Sequence, residues 1–450
     1  MSLEVIVVGG GFTGMASAAA LAQQGATVRV FEAAQTTAPQ FRGELIHPRG
    51  VRGLESLGLK VPLFERGGVA VNGFAVSQHE GAAPVLLPYE DAQGPGLGID
   101  HPAMVLTMRA QLAARPNVSI TTGARIADFV RSGPRIVGVR TADGQEHLAD
   151  LVVVADGRSS KLRPLLGLEP EVKLLSYTVA FGVDGELPHG RMGHVFLGAP
   201  GPILAYPYAE GRIRFCVDVA LGAPKGREAL VALICEQYAR VVPSPLREAM
   251  VKSLRETPFE ACANHSISTA ACAAPGVALV GDAGGCGHPL TASGMTNAMN
   301  DVLTLAELVG ARGPDDAALT EYQRRRYDFV RMRELFTEAL YEVFRGHDDG
   351  SKALQSGVFR YWSSSARSRR ASMNILSGEE VRVSRFVAEY SRVFRGSAVD
   401  VIKRSAWQPR AGGARLKSLA KTSLGRFSAA AGRTARKVVD RYRLGLHPLP

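Results

Sequence analysis

The chain has few cysteines, and none of them is spaced as in a metal-binding or redox motif. Five cysteines occur among 450 residues, with no C-x-x-C pair and no histidine pairing that suggests a zinc site. An odd number of cysteines without such spacing is typical of a reducing compartment. We therefore expect free, mostly buried thiols, no metal site and a cytoplasmic location.

Long hydrophobic runs are also missing. The chain is 46% hydrophobic, yet no apolar stretch approaches the roughly 18 residues that a membrane-spanning helix needs. The opening "MSLEVIVVGGG" leads directly into a strand pattern, without the features of a signal peptide. These observations predict a well-packed protein without a membrane span, long enough for two packed domains.

Acidic residues are almost missing from residues 401–450, which carry 12 Lys and Arg against the single acid Asp440. The net charge of this segment, +11, equals that of the whole chain. Five apolar residues fall on one helical face there, with basic residues flanking or opposite: Leu416, Leu419, Ala420, Leu424 and Phe427. Such a helix suits an anionic membrane surface, so we predict peripheral membrane binding through a basic tail. The alternative is a solvated basic tail. Nucleic-acid binding is not expected, because no nucleic-acid-binding fold accompanies the charge.

Glycine is plentiful, and its spacing near the N-terminus is informative. A continuous apolar strand, "LEVIVV", is followed by "GGGFTG", an Ala-rich helix and a second strand, "ATVRVFEA". This β-α-β order with G-x-G-x-x-G spacing and an acid closing the second strand predicts a dinucleotide-binding unit. Its predicted cofactor contacts are Gly9, Gly11, Phe12, Thr13, Gly14, Glu32 and Ala33.

Two later segments favour FAD over NAD(P) as the tightly held dinucleotide. An apolar strand ends at Asp156, and a further strand, "GVALV", ends at Gly281 and Asp282. An NAD domain needs only the first unit, whereas FAD is gripped by segments far apart in sequence. The glycine-rich stretch after Asp282 leads into a helix from about Met295, whose N-terminus would attract the pyrophosphate and the carbonyl edge of the flavin.

The three signatures together resemble the flavin-dependent aromatic hydroxylase and epoxidase superfamily. The last is similar to the squalene epoxidase (squalene monooxygenase) family, through Gly281-Asp282, His288-Pro289-Leu290-Thr291, Gly294-Met295-Thr296 and Asn300-Asp301. The segments 43–59 and 202–219 and the helix beginning "EYQRRRYDF" extend the likeness over most of the chain. Residues 401–450 have no clear counterpart.

The resemblance implies an α/β fold with a Rossmann-type FAD-binding domain, an antiparallel β-sheet substrate domain and C-terminal helices. We assign residues 1–168 and 276–312 to a discontinuous FAD-binding domain and 169–275 to the substrate sheet. The C-terminal helices would occupy 313–400 and the tail 401–450.

The implied activity is FAD-dependent monooxygenation. NAD(P)H would reduce the flavin, directly or through a flavin or ferredoxin reductase, and O₂ would give a flavin C4a-hydroperoxide that epoxidises an isoprenoid double bond. The substrate would be a hydrophobic molecule, either a prenylated secondary metabolite or squalene. The alternatives are an FAD-dependent isoprenoid reductase and an aromatic-ring hydroxylase of the same superfamily.

Two departures from the family pattern favour a prenylated metabolite over squalene. His47 stands where the family has glutamine, and Phe74 stands where it has a tyrosine, so the family's polar contact at the substrate mouth would be lost. We expect His47, Pro289 and Gly294 near the reactive flavin edge and Phe74 in the substrate wall, although His47 could instead be a hydrogen-bonded loop histidine without a chemical role. Further expected cofactor contacts are Arg42, Arg109, Asp156, Gly281, Asp282 and Met295.

Overall fold

A computed structural model of the chain describes residues 2–37 and 43–405, with residues 400–405 as backbone only. In chain order, its strands are β1 (Glu4–Val8), β2 (Thr27–Glu32), β3 (Leu45–Ile46), β4 (Val69–Val71), β5 (Gly73–Ser77), β6 (Val85–Pro88), β7 (Gly96–Gly98), β8 (Val118–Thr122), β9 (Ile126–Ser132), β10 (Arg135–Thr141), β11 (Glu146–Leu148), β12 (Leu151–Val154), β13 (Glu171–Asp184), β14 (Gly193–Phe196), β15 (Ile203–Ala209), β16 (Arg212–Val219), β17 (Glu260–Ser268), β18 (Ala273–Ala274) and β19 (Val277–Leu279). Its α-helices are α1 (Phe12–Gln23), α2 (Pro48–Ser56), α3 (Lys60–Glu65), α4 (His101–Ala113), α5 (Arg227–Leu233), α6 (Leu246–Glu256), α7 (Gly294–Arg312), α8 (Asp316–Arg345), α9 (Asp349–Ser364), α10 (Ala366–Ser377) and α11 (Val383–Ser405).

The first large sheet has the strand order β18-β19-β12-β1-β2-β8. All its pairs are parallel except β18 with β19. The Val- and Ile-rich runs of β1 and β12 are almost wholly buried, as expected of parallel strands covered on both faces. Helix α1 packs against α4 and α7, and together with this sheet they form the largest apolar core. This is the predicted Rossmann-type unit, and the predicted α/β fold is confirmed.

The second large sheet has the order β17-β13-β16-β15-β14-β5-β6. It is antiparallel except where β14 pairs with β5 in parallel. Two of its strands, β5 and β6, come from residues 73–88, which the sequence analysis assigned to the first domain. The interval 169–275 therefore does not supply the whole sheet, because the parallel pair joins Phe74 to Gly193 across a long stretch of chain.

The two faces of the second sheet are covered differently. On one face, Phe181, Phe215 and Ile203 form a core with α6 and the π-helical turn Ile234–Tyr238. On the other face, strands β5, β6, β14 and β15 pack against side chains of α8, α9 and α10. Successive residues of a strand point to opposite faces, so this second face also carries Arg214, Cys216 and Asp218 of β16. We call it the helix-covered face.

Helices α8 to α11 form the C-terminal layer. Helix α11 continues to Ser405, beyond the predicted boundary at residue 400, and packs against α9. The predicted membrane-binding segment between Leu416 and Phe427 lies outside the described residues.

Candidate functional site

The turn after β1 is crowded by backbone, as its glycine spacing predicts. Gly9 has a φ of +106°, and a Cβ built there would lie 2.5 Å from the Ala155 carbonyl oxygen. A Cβ on Gly14 would lie 1.7 Å from the Gly9 carbonyl oxygen, so helix α1 approaches the turn as closely as a glycine allows. At Gly11, in contrast, a Cβ would meet no atom of the described residues within 4 Å. Phe12, buried, begins α1 directly after it.

Glu32 and Arg109 lie together at this turn. The Glu32 carboxylate accepts hydrogen bonds from the backbone N–H of Gly10 at 2.6 Å and of Ala34 at 2.8 Å. The Arg109 guanidinium donates to the Gly10 carbonyl at 3.0 Å and lies 3.5 Å from the Glu32 carboxylate. Ala33, also predicted as a contact, is exposed beside Glu32. The structure therefore brings the predicted first segment together around Gly10.

The ends of β12 and β19 reach the same place. Asp156 follows β12, and one of its carboxylate oxygens accepts from the Lys161 N–H at 3.0 Å. Its other oxygen is buried without a hydrogen-bond partner among the described residues, and burial raises the pKa of this carboxyl. Gly281, with a φ of +57°, lies against Thr13, whose Oγ1 would be 2.9 Å from an added Cβ. Three segments separated by more than a hundred residues thus converge.

A buried ion pair fixes the turn at Gly281, and sequence reasoning did not single it out. Asp301 in α7 accepts from the Gly281 N–H at 2.9 Å and from the Arg326 guanidinium of α8 at 2.8 Å. Arg326 also donates to the Gly281 carbonyl at 3.2 Å. Burial raises the pKa of Asp301, against the opposing effect of Arg326. In the sequence, the Asn300-Asp301 motif draws attention to the aspartate. It does not identify Arg326 as the partner, because Arg326 lies 25 residues further along the chain.

The site loop, residues 287–294, leads from this turn into α7. Pro289 begins a short 3-10 turn, Pro289–Thr291, and both Pro289 and Gly294 are exposed. Ala292 has a φ of +48°, the left-handed conformation that favours glycine. Gly294, in contrast, does not have a positive φ, and within the described part of the chain no atom lies within 4 Å of a Cβ built there. The backbone at Gly294 therefore does not require glycine, and what the position offers is open space.

His47 is completely buried and uses both ring nitrogens. Its Nε2 lies 2.8 Å from the Thr291 carbonyl oxygen, and its Nδ1 lies 2.6 Å from the Tyr89 hydroxyl. A carbonyl only accepts, so Nε2 carries the proton and the Tyr89 hydroxyl donates to Nδ1. Burial, with a smaller effect from Arg333, lowers the pKa of His47 to about 4, so the ring is neutral at pH 7. This contact ties the site loop to helix α2, which His47 precedes.

Phe74 lies beside this histidine, on the helix-covered face of the sheet. Its ring centroid is 6.1 Å from that of His47 and 6.4 Å from that of Tyr89, which it meets edge to face. Tyr89 was not singled out from the sequence. It lies just after β6, a strand whose place in the second sheet only the structure shows.

His288 anchors the other end of the site loop. Its Nδ1 accepts from the Leu290 N–H at 3.1 Å, so its Nε2 carries the proton and faces Asp218 at 3.2 Å and Ser176 at 2.9 Å. Asn264 donates to Ser176 at 2.9 Å and completes a fully buried polar cluster on the helix-covered face. The loop is thus held at two points, at Thr291 by His47 and at His288 by Asp218 and Ser176.

A second buried ion pair joins the first segment to the sheet. Arg214 on β16 donates two hydrogen bonds of 2.7 Å to the carboxylate of Glu44, which is 2% exposed. Burial raises the pKa of Glu44, against the lowering effect of Arg214. Because both charges are satisfied, the pair fixes the position of the chain just before His47.

Three further predicted residues complete the placement. Met295, in the first turn of α7, is buried against Gly43. Asp282 lies in the 3-10 turn Gly281–Gly284 and is partly buried. Arg42 lies outside the described residues. The neighbouring thiol of Cys286 has its pKa raised to about 12 by burial, so it is not a reactive thiolate.

These residues fit FAD. The open space at Gly11 and Gly294 lets a ligand approach the backbone at the N-termini of two helices, α1 and α7, where N–H groups favour anionic and electron-rich atoms. The unpartnered buried oxygen of Asp156 lies in the segment that converges on Gly9. Both features are what a bound dinucleotide would use.

Comparison with known proteins identifies the family. A family model described as squalene epoxidase matches residues 148–406, and one described as an NAD(P)-binding Rossmann-like domain matches residues 7–67. The first match covers more than half of the chain. The chain belongs to the squalene epoxidase family. Membership confirms the resemblance seen in the sequence, and with it an enzyme that is an FAD-dependent monooxygenase using NAD(P)H.

Known relatives of this squalene epoxidase family member match most of its chain. Squalene epoxidase erg1 of Aspergillus fumigatus is 29% identical over 380 residues, covering 80% of this chain and 79% of the relative. Squalene monooxygenase SE2 of Panax ginseng is 30% identical over 392 residues, covering 83% and 72%. The crystal structure of HpxO of Klebsiella pneumoniae complexed with FAD and uric acid superposes with a TM-score of 0.68 at 23% identity, covering 87% of this chain and 96% of that chain. The last likeness supports the fold.

The described part of this squalene epoxidase homologue contains no helix that is both long and apolar enough to cross a membrane.

Proposed function

We propose that this monooxygenase epoxidises a carbon–carbon double bond of an isoprenoid chain, either the prenyl chain of a secondary metabolite or squalene. The observation that carries the proposal is the apolar surroundings of the site loop. Leu290 and Ala292 of the loop pack against the cluster formed by β5, β6, β15 and α8 to α10, which includes Phe74, Tyr206 and Phe359. A substrate that reaches the loop along this cluster meets mainly aliphatic and aromatic side chains, which suit an unfunctionalised hydrocarbon chain.

The cofactor would lie along the three converging segments. We propose that Gly9, Gly11 and Gly14 admit the pyrophosphate and that Glu32 accepts from the ribose, with Arg109 beside it. Asp156, Gly281 and Asp282 would line the rest of the cofactor, and the site loop and Met295 would face the flavin ring. FAD, reduced by NAD(P)H, supplies the activation of O₂ and the transfer of one oxygen atom.

The chain's own residues would bind, orient and exclude water. Pro289 and Gly294, both exposed on the site loop, would contact the reacting region, while Phe74 forms part of the substrate wall. His47 is neutral and has both nitrogens occupied, so it would orient the loop and would not transfer a proton. The apolar cluster on the helix-covered face would keep bulk water from the reacting atoms.

The substrate test uses the purified protein with FAD, NADPH and a general flavin reductase. It is incubated with squalene and with farnesylated and geranylgeranylated compounds under ¹⁸O₂. We expect one product to gain a single labelled oxygen atom in its isoprenoid chain. Label in an aromatic ring would indicate the hydroxylase alternative, and a gain of two hydrogens without label would indicate an isoprenoid reductase.

Phe74→Ala tests the wall separately. Shortening this side chain should change which chain length of the panel is converted fastest, while FAD binding stays the same. Phe181→Leu, on the opposite face of the sheet, is the matched control and should leave the preference unchanged. An unchanged preference in Phe74→Ala would contradict its place in the wall.

We further propose peripheral membrane association and electron supply through a partner reductase. The charge of +11 in residues 401–450 supports the first, since each basic residue near an anionic surface adds about 1 kcal/mol of attraction. Flotation with vesicles containing anionic lipid should recover the full chain and not a chain ending at residue 405. Equal recovery would refute the membrane role. Product formation with NADPH alone would show that no reductase is required.

A further inference from the structure

We propose that Tyr89 is a positioning residue for the site loop, acting through His47. Phe74, beside His47, has no polar group, and the hydrogen bond to the His47 ring comes instead from Tyr89, just after β6. Tyr89, His47 and Thr291 form a chain of two hydrogen bonds, of 2.6 and 2.8 Å, that ends on the backbone of the loop.

The direction of both bonds is fixed by chemistry. The Thr291 carbonyl can only accept, so the imidazole must donate through Nε2, and its Nδ1 then has only a lone pair to offer. Tyr89 supplies the proton that this lone pair needs. The hydroxyl therefore selects the tautomer of His47 that can hold Thr291.

His47 contacts the loop region at two points, so the orientation of its ring affects the position of the loop backbone. Its ring bonds Thr291 near the end of the loop, and its backbone N–H donates to Thr296 Oγ1, in the first turn of α7, at 3.1 Å. Gly294 lies between these two points. A ring in the other tautomer would lose Thr291 and release the backbone that leads into Gly294.

Packing alone does not explain the tyrosine. Its ring meets Phe74 and His47 edge to face, with centroids 6.4 and 6.0 Å away. A phenylalanine would keep both ring contacts and remove only the hydroxyl. Tyr89→Phe therefore separates the hydrogen bond from the packing.

The test compares four variants with the unaltered protein. Tyr89→Phe removes the donor, and His47→Leu removes the whole connection. His47→Gln keeps a donor for Thr291 and an acceptor for Tyr89, because an amide has both. Tyr238→Phe makes the same chemical change in the core of the opposite sheet face, where Tyr238 is 1% exposed.

The first readout is independent of cofactor: ¹⁵N NMR of histidine-labelled apoprotein, with the His47 signals assigned from the His47→Gln spectrum. We expect a protonated Nε2 and an unprotonated, hydrogen-bonded Nδ1, and a change in both signals in Tyr89→Phe.

The second readout is FAD affinity together with the visible spectrum of the bound flavin. Tyr89→Phe and His47→Leu should weaken FAD binding roughly fivefold or more and alter the spectrum, while His47→Gln and Tyr238→Phe should not.

The double variant Tyr89→Phe/His47→Leu completes the test. Two residues acting through one connection should give a double variant no worse than His47→Leu alone. Additive losses would overturn the proposal, as would a Tyr89→Phe protein with unchanged ¹⁵N signals, FAD affinity and spectrum. If Tyr89→Phe does not fold, the ¹⁵N spectrum of the unaltered protein decides, because a protonated Nδ1 on His47 excludes the proposed bond.

Discussion

The turn after β1 and the site loop before α7 both lie at a helix N-terminus, yet they are built in opposite ways. The turn is held by backbone pressed against backbone, with 1.7 Å between the Gly9 oxygen and a Cβ on Gly14. The site loop has open space at Gly294 and is held by side chains, through His47 and His288. The turn is therefore sensitive to added atoms, and the loop is sensitive to lost hydrogen-bonding groups.

Adding one methyl group to the turn should have the largest effect. In Gly14→Ala the new Cβ overlaps the Gly9 carbonyl, and we expect a loss above about 4 kcal/mol, or failure to fold. Gly11→Ala is the matched control, since its Cβ lies within 4 Å of none of the residues that the structure describes; it should fold normally but bind FAD roughly tenfold more weakly or worse. Thermal melting and FAD titration measure both. Equal stability of the two variants would remove the distinction between crowded and open glycines.

The ion pair beneath the loop should give the next largest effect. Asp301→Leu leaves the Arg326 guanidinium buried without its carboxylate, at a cost of about 3–5 kcal/mol. The double variant Asp301→Leu/Arg326→Met removes both charges and should recover most of that loss. Urea unfolding gives the values; a double variant as unstable as the single one would show that the pair does more than neutralise charge.

The buried histidine of the loop predicts a pH dependence. The pKa of His47 is about 4 in the folded protein and about 6.5 when unfolded. As the pH falls from 6.5 to 4, His47 binds a proton in the unfolded state but not in the folded state. The free energy of unfolding therefore decreases by roughly 3 kcal/mol. His47→Gln should lack this component. The test is to measure the free energy of unfolding of both proteins at pH 7 and at pH 4.5. An equal decrease in the two proteins would contradict the low pKa of His47.

Gly294→Ala should have the smallest effect on stability. Its Cβ meets open space and its backbone does not need glycine, so the free energy of unfolding should stay within about 1 kcal/mol or rise slightly. FAD affinity should nevertheless fall, because the methyl group occupies the expected approach to the flavin. Unchanged FAD affinity would place the cofactor elsewhere.

The predictable parts of this molecule are those encoded over short stretches of sequence. The turn at Gly9 to Gly14, Glu32 at the end of β2 and the strand ends at Asp156 and Gly281 follow from local spacing, and the structure brings them together. The contacts of the site loop do not follow, because His47 meets Thr291 across 244 residues and His288 meets Ser176 across 112. No local pattern marks Tyr89 or Asp218 as partners, since their roles depend on which strands pair.

The role of Gly294 also does not follow from local sequence, for a related reason. A glycine in a glycine-rich motif can supply a left-handed backbone or simply the absence of a side chain, and both give the same letter in the sequence. Only the structure shows that the left-handed position is Ala292.

The interleaved strand order also has a consequence for biosynthesis. Strand β1 pairs with β12, β12 pairs with β19, and β5 pairs with β14. In each pair, the two strands are separated by more than a hundred residues of chain. Neither sheet can be completed until β17 and β19 have left the ribosome, so a nascent chain exposes unpaired parallel edges for most of its synthesis. Because non-local pairing is slow, this chain should depend on chaperones while it is being made, and fragments ending before Leu279 should aggregate.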